Sequence, residues 1–399
     1  MTKLIGGLTV GRKLALIYFL DLTAVIFISG ILIHEKFIAI NFADKEIVGN
    51  HYIEVVREGL IAIAHPQATG DAPVMLSAQA DAVVDAENRY GKEMGTAVLS
   101  RDFAAALRTV EKAGAAPSRR SANEVDAAFA KGRELLTRIG NQSNLILDPD
   151  LDSYYTMSLI VLRFPELLEV LDGTGDLVSR MAGPQDPSRQ MQQTRFLILE
   201  GRLDAITKGI KSDYDEAFAA STPQLREQLQ QSRDDLLNAI QEFRVASQGM
   251  AGIIPDRENS TTYQGLHEAA IHQLRAAWIA ADLQLNRLLE ARIDQAFSRM
   301  WLHFGITAVL LMIILSLVFF VARQIAIPIR NLARVADDVR RSGDYALRAS
   351  WDSTDEIGRL VKGFNGMLQQ LDHQRITQQE MVAQTRAAQA QRELVEAIP

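Results

Sequence analysis

The sequence contains no cysteine among its 399 residues. Disulfides, thiolate chemistry, Cys-ligated zinc or iron–sulfur sites and haem attached through a C-x-x-C-H motif are therefore excluded. A surplus of basic charge is missing too. Lys and Arg number 42 against 49 Asp and Glu, a net −7, so the whole-chain balance carries no nucleic-acid footprint and no nucleic-acid partner is expected. Aromatic residues are sparse at 7%, and strand signals are nearly absent between residues 35 and 299. There is no Gly-rich phosphate loop, kinase phosphoacceptor or ATP-binding box, no cyclase Gly-Gly-Asp/Glu-Glu-Phe loop and no long methyl-accepting hairpin, so no catalytic residue is assigned. The histidines (His34, His51, His65, His267, His272, His303 and His373) lack metal-ligand spacing, and the external ones read as surface residues; neither a metal nor a cofactor is expected.

What is abundant is hydrophobicity, 48% of the residues, and it is unevenly placed. Residues 14–33 form a run of 20 interrupted by one charge, Asp21, and residues 304–322 a run of 19 with none. About 20 apolar residues at 1.5 Å rise cross a hydrocarbon core of roughly 30 Å, so both runs are long enough to span a membrane. The first exceeds the apolar stretch of a signal peptide, and no small-x-small cleavage site follows before His34-Glu35-Lys36, so it reads as an uncleaved anchor. Lys3, Arg12 and Lys13 precede it without an acid, and Arg323, Arg330 and Arg334 follow the second run before the first acid, Asp337. The positive-inside rule then places residues 1–13 and everything after 322 in the cytoplasm and residues 34–303 outside, a multi-pass inner-membrane protein with a periplasmic segment. Charge divides along the same line, −10 over residues 35–299 and +3 over the rest. Asp21 either meets another helix within the bilayer or hydrates at its cytoplasmic edge.

Between the spans, helix starts recur. Asp148-Pro149, Asp186-Pro187 and Thr222-Pro223 each set a capping side chain before a proline, and Ser121-x-x-Glu124 reads as a capping box. With turn-rich stretches at 66–73, 114–119, 173–187 and 251–260, these predict helices over 34–65, 73–114, 121–147, 149–172, 187–221, 223–250 and 260–322, the first and last running on into the spans. Apolar stripes such as Phe196, Leu199, Leu203, Ile206 and Ile210 supply the core. A single four-helix sensor bundle needs on the order of 150 residues by helix-rise arithmetic. Here 265 are available, which favours a taller bundle of about six helices and resembles the helical bimodular sensor domains of some bacterial receptors. One segment, Asn144 to Tyr155 followed by Arg163-Phe164-Pro165, admits two readings. Asp148, Asp150 and Asp152 suit a helix N-terminus, with Asp148 as cap and Pro149 as first residue. Alternatively Asp152, Tyr154, Tyr155 and Arg163 line a ligand pocket, the guanidinium suiting a carboxylate such as a small organic acid.

After the second span the pattern sharpens. Ile325, Ile329, Leu332, Ala336 and Val339 step 4-3-4-3, and Ile357, Leu360, Phe364, Met367 and Leu371 step 3-4-3-4. These are two coiled-coil seams joined by a non-helical connector, and one pair of short helices cannot bury both; a dimeric, parallel four-helix arrangement can. Pro328, the connector glycine Gly343, the Asp355-Glu356-Ile357-Gly358 step and Phe364-Asn365-x-Met367 make residues 323–375 resemble a HAMP domain, the relay module that follows a membrane helix in bacterial receptors. The connector departs mildly, with Tyr345, Leu347 and Trp351 where smaller aliphatics are usual. The resemblance implies that Pro328 joins span to relay and that Glu356 and Gly358 set the second helix against the first. It also implies a homodimer through the HAMP and membrane helices, set in a lipid bilayer. Residues 376–399 read as a signalling coiled coil, and the terminal Glu393 to Pro399 resembles the opening of a PAS domain. The expected whole is an all-α input and relay half of a transmembrane sensor, its output most simply a two-component histidine kinase. A chemotaxis-type receptor or a diguanylate cyclase is the alternative, and a non-signalling membrane protein comes last.

Overall fold

The computed structural model describes residues 10–64, 75–113, 122–181, 189–252 and 260–396. The capping residues expected at Ser121 and Asp186-Pro187, the turns at 66–73 and 114–119 and the last residues of the PAS-like terminus lie outside the described residues. Among the described residues the chain is all-α, with ten α-helices and no strand. In chain order they are α1 (Val10–Ala64), α2 (Leu76–Tyr90), α3 (Ala97–Lys112), α4 (Ala122–Gln142), α5 (Leu151–Ser158), α6 (Phe164–Met181), α7 (Arg189–Ala220), α8 (Pro223–Met250), α9 (Ser260–Ser342) and α10 (Glu356–Glu396). Two compact units result, Glu35–Arg299 on one hand and Met1–His34 with Met300–Pro399 on the other.

Within Glu35–Arg299 two groups of helices share one apolar core. In the first, α2 and α3 form an antiparallel hairpin against α1 and α4; Leu60, Phe103 and Leu107 are fully buried there. Gly132 of α4 permits the close approach, since a Cβ on it would lie 2.5 Å from Leu60 and 2.8 Å from Phe103. In the second, α5 to α8 pack with α9 around aromatic rings. Phe164 meets Trp278 at 5.9 Å and Tyr214 at 6.4 Å, and Phe243 meets Tyr263 at 5.7 Å.

Several sequence expectations need correction. The single helix expected over 73–114 is the α2–α3 hairpin. The chain turns at Gly95, whose φ of +60° suits glycine, and Glu87 holds the corner by accepting from Tyr52 Oη at 2.8 Å and Thr96 Oγ1 at 2.7 Å. The turn expected from 173 does not form there. Gly173 and Gly175 stay helical within α6; Gly175 admits the His267 ring, whose Nε2 lies 3.1 Å from the Leu171 carbonyl. His267, 5.2 Å from the Phe243 ring, is thus a packing residue rather than a surface one. Between α5 and α6 lies a π-helical turn, Leu159–Arg163. Pro165 has no N–H for the carbonyl four residues back and its ring crowds that carbonyl, so a widened turn is the local solution. Pro223 does open α8, but Thr222 makes no side-chain capping bond.

The apolar runs lie within α1 and α9, the two helices long and apolar enough to cross a membrane. Their side chains point outward all round, Phe19 being 69% and Phe319 68% exposed, which leaves lipid as their natural cover. Trp301, packed edge-on against Phe304 at the start of the second run, sits where an interfacial aromatic belongs.

Candidate functional site

The module that follows the second apolar run is built from its turn chemistry upward. Helix α9 passes through Pro328 and ends at Gly343, whose φ of +68° and N–H to Val339 O bond of 2.9 Å form a left-handed cap. The connector that follows is tied down at Ala349, which is buried. Asn365 of α10 grips it reciprocally: Ala349 N–H donates to Oδ1 and Nδ2 donates to the Ala349 carbonyl, both at 2.9 Å. Arg375 Nη1 further donates to the Gly343 carbonyl. Helix α10 then starts on Asp355, whose Oδ1 accepts from Gly358 N–H at 2.9 Å. That bond and the Ser353 hydroxyl hold the Asp355 carboxyl below its ordinary range. Gly358 has to be glycine because a Cβ there would run into the Ser353 backbone carbonyl. Glu356 is solvent-facing and pairs with Arg359 at 3.0 Å within its own helix.

Residues 320–373 match the HAMP domain family. They are a HAMP domain. No curated protein and no solved structure matches the chain. With the two candidate membrane helices beside it, the HAMP domain makes this chain a signal-transducing transmembrane receptor.

Within the HAMP domain the structure buries Val361 and Leu368 rather than Leu360 and Met367, which are 55% and 49% exposed; Phe364 is half-buried. Sequence reading missed Val361 and Leu368, although Ile357, Val361, Phe364, Leu368 and Leu371 also step 4-3-4-3. Within the single chain one edge of the α10 stripe is buried, and the other edge, Leu360 and Met367, is uncovered.

In the unit Glu35–Arg299 the polar chemistry concentrates on the seam between α1 and α9. Arg57 Nη1 pairs with Asp282 Oδ2 at 2.9 Å, both side chains buried. Asn50 Nδ2 donates to Asn286 Oδ1 at 3.1 Å, Asn286 Nδ2 to Glu54 Oε1 at 3.4 Å, and Arg275 Nη2 pairs with Glu58 at 2.9 Å. Burial, opposed by Arg57 and helped by Glu54, pushes the Asp282 carboxyl up to about 7, and its Oδ1 has no hydrogen-bond partner. At the seam's other end Arg292 gathers Glu46 Oε2 at 3.1 Å, Asp148 Oδ1 at 2.7 Å, Asp150 Oδ2 at 2.7 Å and Ser153 Oγ at 2.6 Å. The Glu46 and Asp148 side chains are wholly buried.

This corrects the capping reading of the acidic segment. Helix α5 starts at Leu151, not Pro149; Asp148 accepts Asp150 N–H at 3.0 Å and holds Arg292. The segment reaches α9 because Asn144, with φ of 72°, reverses the chain after α4. Of the residues named for a pocket, Asp152 accepts the Ser153 N–H at 2.9 Å, and Tyr154 and Tyr155 meet edge to face at 5.3 Å. Arg163 points elsewhere, its Nε donating to Asp213 Oδ2 at 2.9 Å, an oxygen that also accepts from Ser158 Oγ at 2.7 Å. Among the described residues no group of His, Asp and Glu has the geometry to hold a metal ion.

Arg292 and Glu46 escaped sequence reading, yet a signal existed. Ala43, Glu46, Asn50, Ile53, Arg57 and Leu60 recur at three- and four-residue spacing, all buried, so polar groups occupy core positions of an amphipathic stripe.

Proposed function

We propose that the chain is the input and relay half of a homodimeric sensor, with residues 34–303 periplasmic, both termini cytoplasmic and the HAMP domain passing a change in the external bundle to an output module, most simply a histidine kinase. The observation that carries this reading is the continuity of α9. One helix, Ser260–Ser342, contains the polar seam residues, the apolar run and the first HAMP helix with Pro328. A change in how α9 pairs with α1 is therefore transmitted along a single covalent and hydrogen-bonded element. The uncovered Leu360 and Met367 supply the face for a second copy.

Because the chain lacks cysteine, single cysteines test the topology cleanly. Val98→Cys reacts with a membrane-impermeant maleimide on intact cells, Met381→Cys only after permeabilisation; the reverse pattern overturns the orientation. Met367→Cys forms an intermolecular disulfide on oxidation, and its failure to do so sinks the dimer. ATP-dependent histidine phosphorylation of the protein as isolated from cells supports the kinase reading, whereas glutamate methylation without it favours a chemotaxis-type receptor.

Arg163 holds Asp213 through Nε, so a small organic acid at its remaining guanidinium donors would compete with that internal carboxylate for the same charge. The external ligand site, read on Asp152, Tyr154, Tyr155 and Arg163, would thus set an external carboxylate beside an internal one on the same guanidinium.

A further inference from the structure

Glu46 is completely buried on α1, and its Oε1 and the Oδ2 of Asp148 have no hydrogen-bond partner. The charged groups facing Glu46 are Arg292 from α9 and Asp148 and Asp150 from the segment between α4 and α5. With all three carboxyls ionised, two wholly buried negative charges, Glu46 and Asp148, and a third on the solvent-exposed Asp150 share one guanidinium. Buried excess charge of this kind is relieved by taking up a proton or by opening the site. The geometry points to a proton-operated latch: protonated Glu46 lets Arg292 dock the segment 144–153 onto the α1–α9 pair, and loss of that proton releases the segment.

The direction is fixed by chemistry. Burial first, then Asp148 and Asp150, push the Glu46 carboxyl from an ordinary 4.5 up to about 8, against the pull of Arg292. A carboxyl raised in the folded state binds its proton more tightly there than in the open form. The docked state is therefore favoured fully below about pH 4.5 and loses that advantage as pH rises through 8. Because α1 and α9 carry the apolar runs, the latch sits on the pair of helices through which any signal must leave the bundle. That the pH it senses is the external one rests on the topology proposed above; the latch itself does not.

Hydrogen exchange of the full chain in lipid nanodiscs, where both faces see the same buffer, tests the latch independently of topology. Exchange in 144–153, divided by the intrinsic rate, should speed up between pH 6 and pH 9 by up to roughly 90-fold, the linkage ratio for a carboxyl moved from 4.5 to about 8. Glu46→Gln, a mimic of the protonated form, should stay slow at both pH values, and Asp282→Asn should leave the response of this segment unchanged. Asp148→Asn removes one facing charge and should move the wild-type midpoint to lower pH. Equal protection of the wild type at pH 6 and 9, a pH response retained in Glu46→Gln, or an unmoved midpoint in Asp148→Asn each overturns the proposal.

Discussion

Replacing Arg57 by methionine removes the only cation shown facing Asp282 and keeps the aliphatic stem. A buried ion pair that loses one partner usually costs about 3–5 kcal/mol, because the other charge is stranded. Here the stranded group has an exit. The Asp282 carboxyl already titrates at about 7, so at that pH its neutral form is as populated as the charged one, and the neutral form does not need Arg57. The Asp282 share of the cost of Arg57→Met should then be small at pH 6, where Asp282 is protonated with or without its partner, leaving the pH-independent loss of the Arg57 Nε pair with Glu58 at 3.0 Å. Above pH 7 the wild type gains from ionising against Arg57 and the variant cannot follow, so the gap should widen as pH rises to 9, by roughly 1 kcal/mol per pH unit at most, until the full pair energy is reached. Urea unfolding of the detergent-solubilised full chain, followed by helical circular dichroism at pH 6, 7.5 and 9, measures this. A cost equal at pH 6 and 9 refutes the reasoning, since it would mean Asp282 is charged throughout. The double variant Arg57→Met with Asp282→Leu should lose the pH dependence and come within ~1 kcal/mol of wild type or above it.

In the HAMP connector, Asn365→Ala deletes both bonds to Ala349 and should destabilise the domain by about 1–3 kcal/mol, seen as faster hydrogen exchange confined to 343–353. Gly358→Ala forces the Ser353 carbonyl away and should cost about 1–3 kcal/mol, with reduced disulfide yield from Met367→Cys; an unchanged yield and melting temperature would contradict the close contact. Asp213→Asn weakens the hold on Arg163 and should cost only about 1 kcal/mol, Arg163 being partly exposed, while raising the thermal shift produced by small organic acids. No acid-dependent shift in either protein would remove Arg163 from the ligand site.

Most of the helices were legible because apolar spacing and proline placement are local signals; the span 223–250 was read to the residue. The HAMP domain was legible because its turn residues do particular jobs: Gly343 adopts a left-handed φ, Asp355 caps and Gly358 clears a carbonyl. What escaped depended on tertiary partners. Asp148 looked like a cap because nothing in its neighbourhood names Arg292, 144 residues away. The α2–α3 hairpin read as one helix because the corner is held by Glu87 reaching Tyr52 on another element. Val361 and Leu368 escaped because two interleaved apolar stripes run along α10, and the spacing that gives Leu360 and Met367 as seam positions does not show which stripe the single chain buries.

The polar character of the α1–α9 seam has a mechanical consequence. Had these helices met through leucines alone, one could slide along the other by any small distance with little resistance, and a weak stimulus would produce a proportionally weak shift. Directional contacts at Glu46, Asn50, Arg57 and Glu58 behave instead like the teeth of a rack. A slide of one helical turn, roughly 5.4 Å, would set Trp278 or Asn286 in place of Asp282 and Leu288 or Ala296 in place of Arg292, so the polar pairs match in one register alone. Such a seam fixes how α1 sits against α9, and any displacement along it has to break named ion pairs and hydrogen bonds rather than slide over apolar side chains.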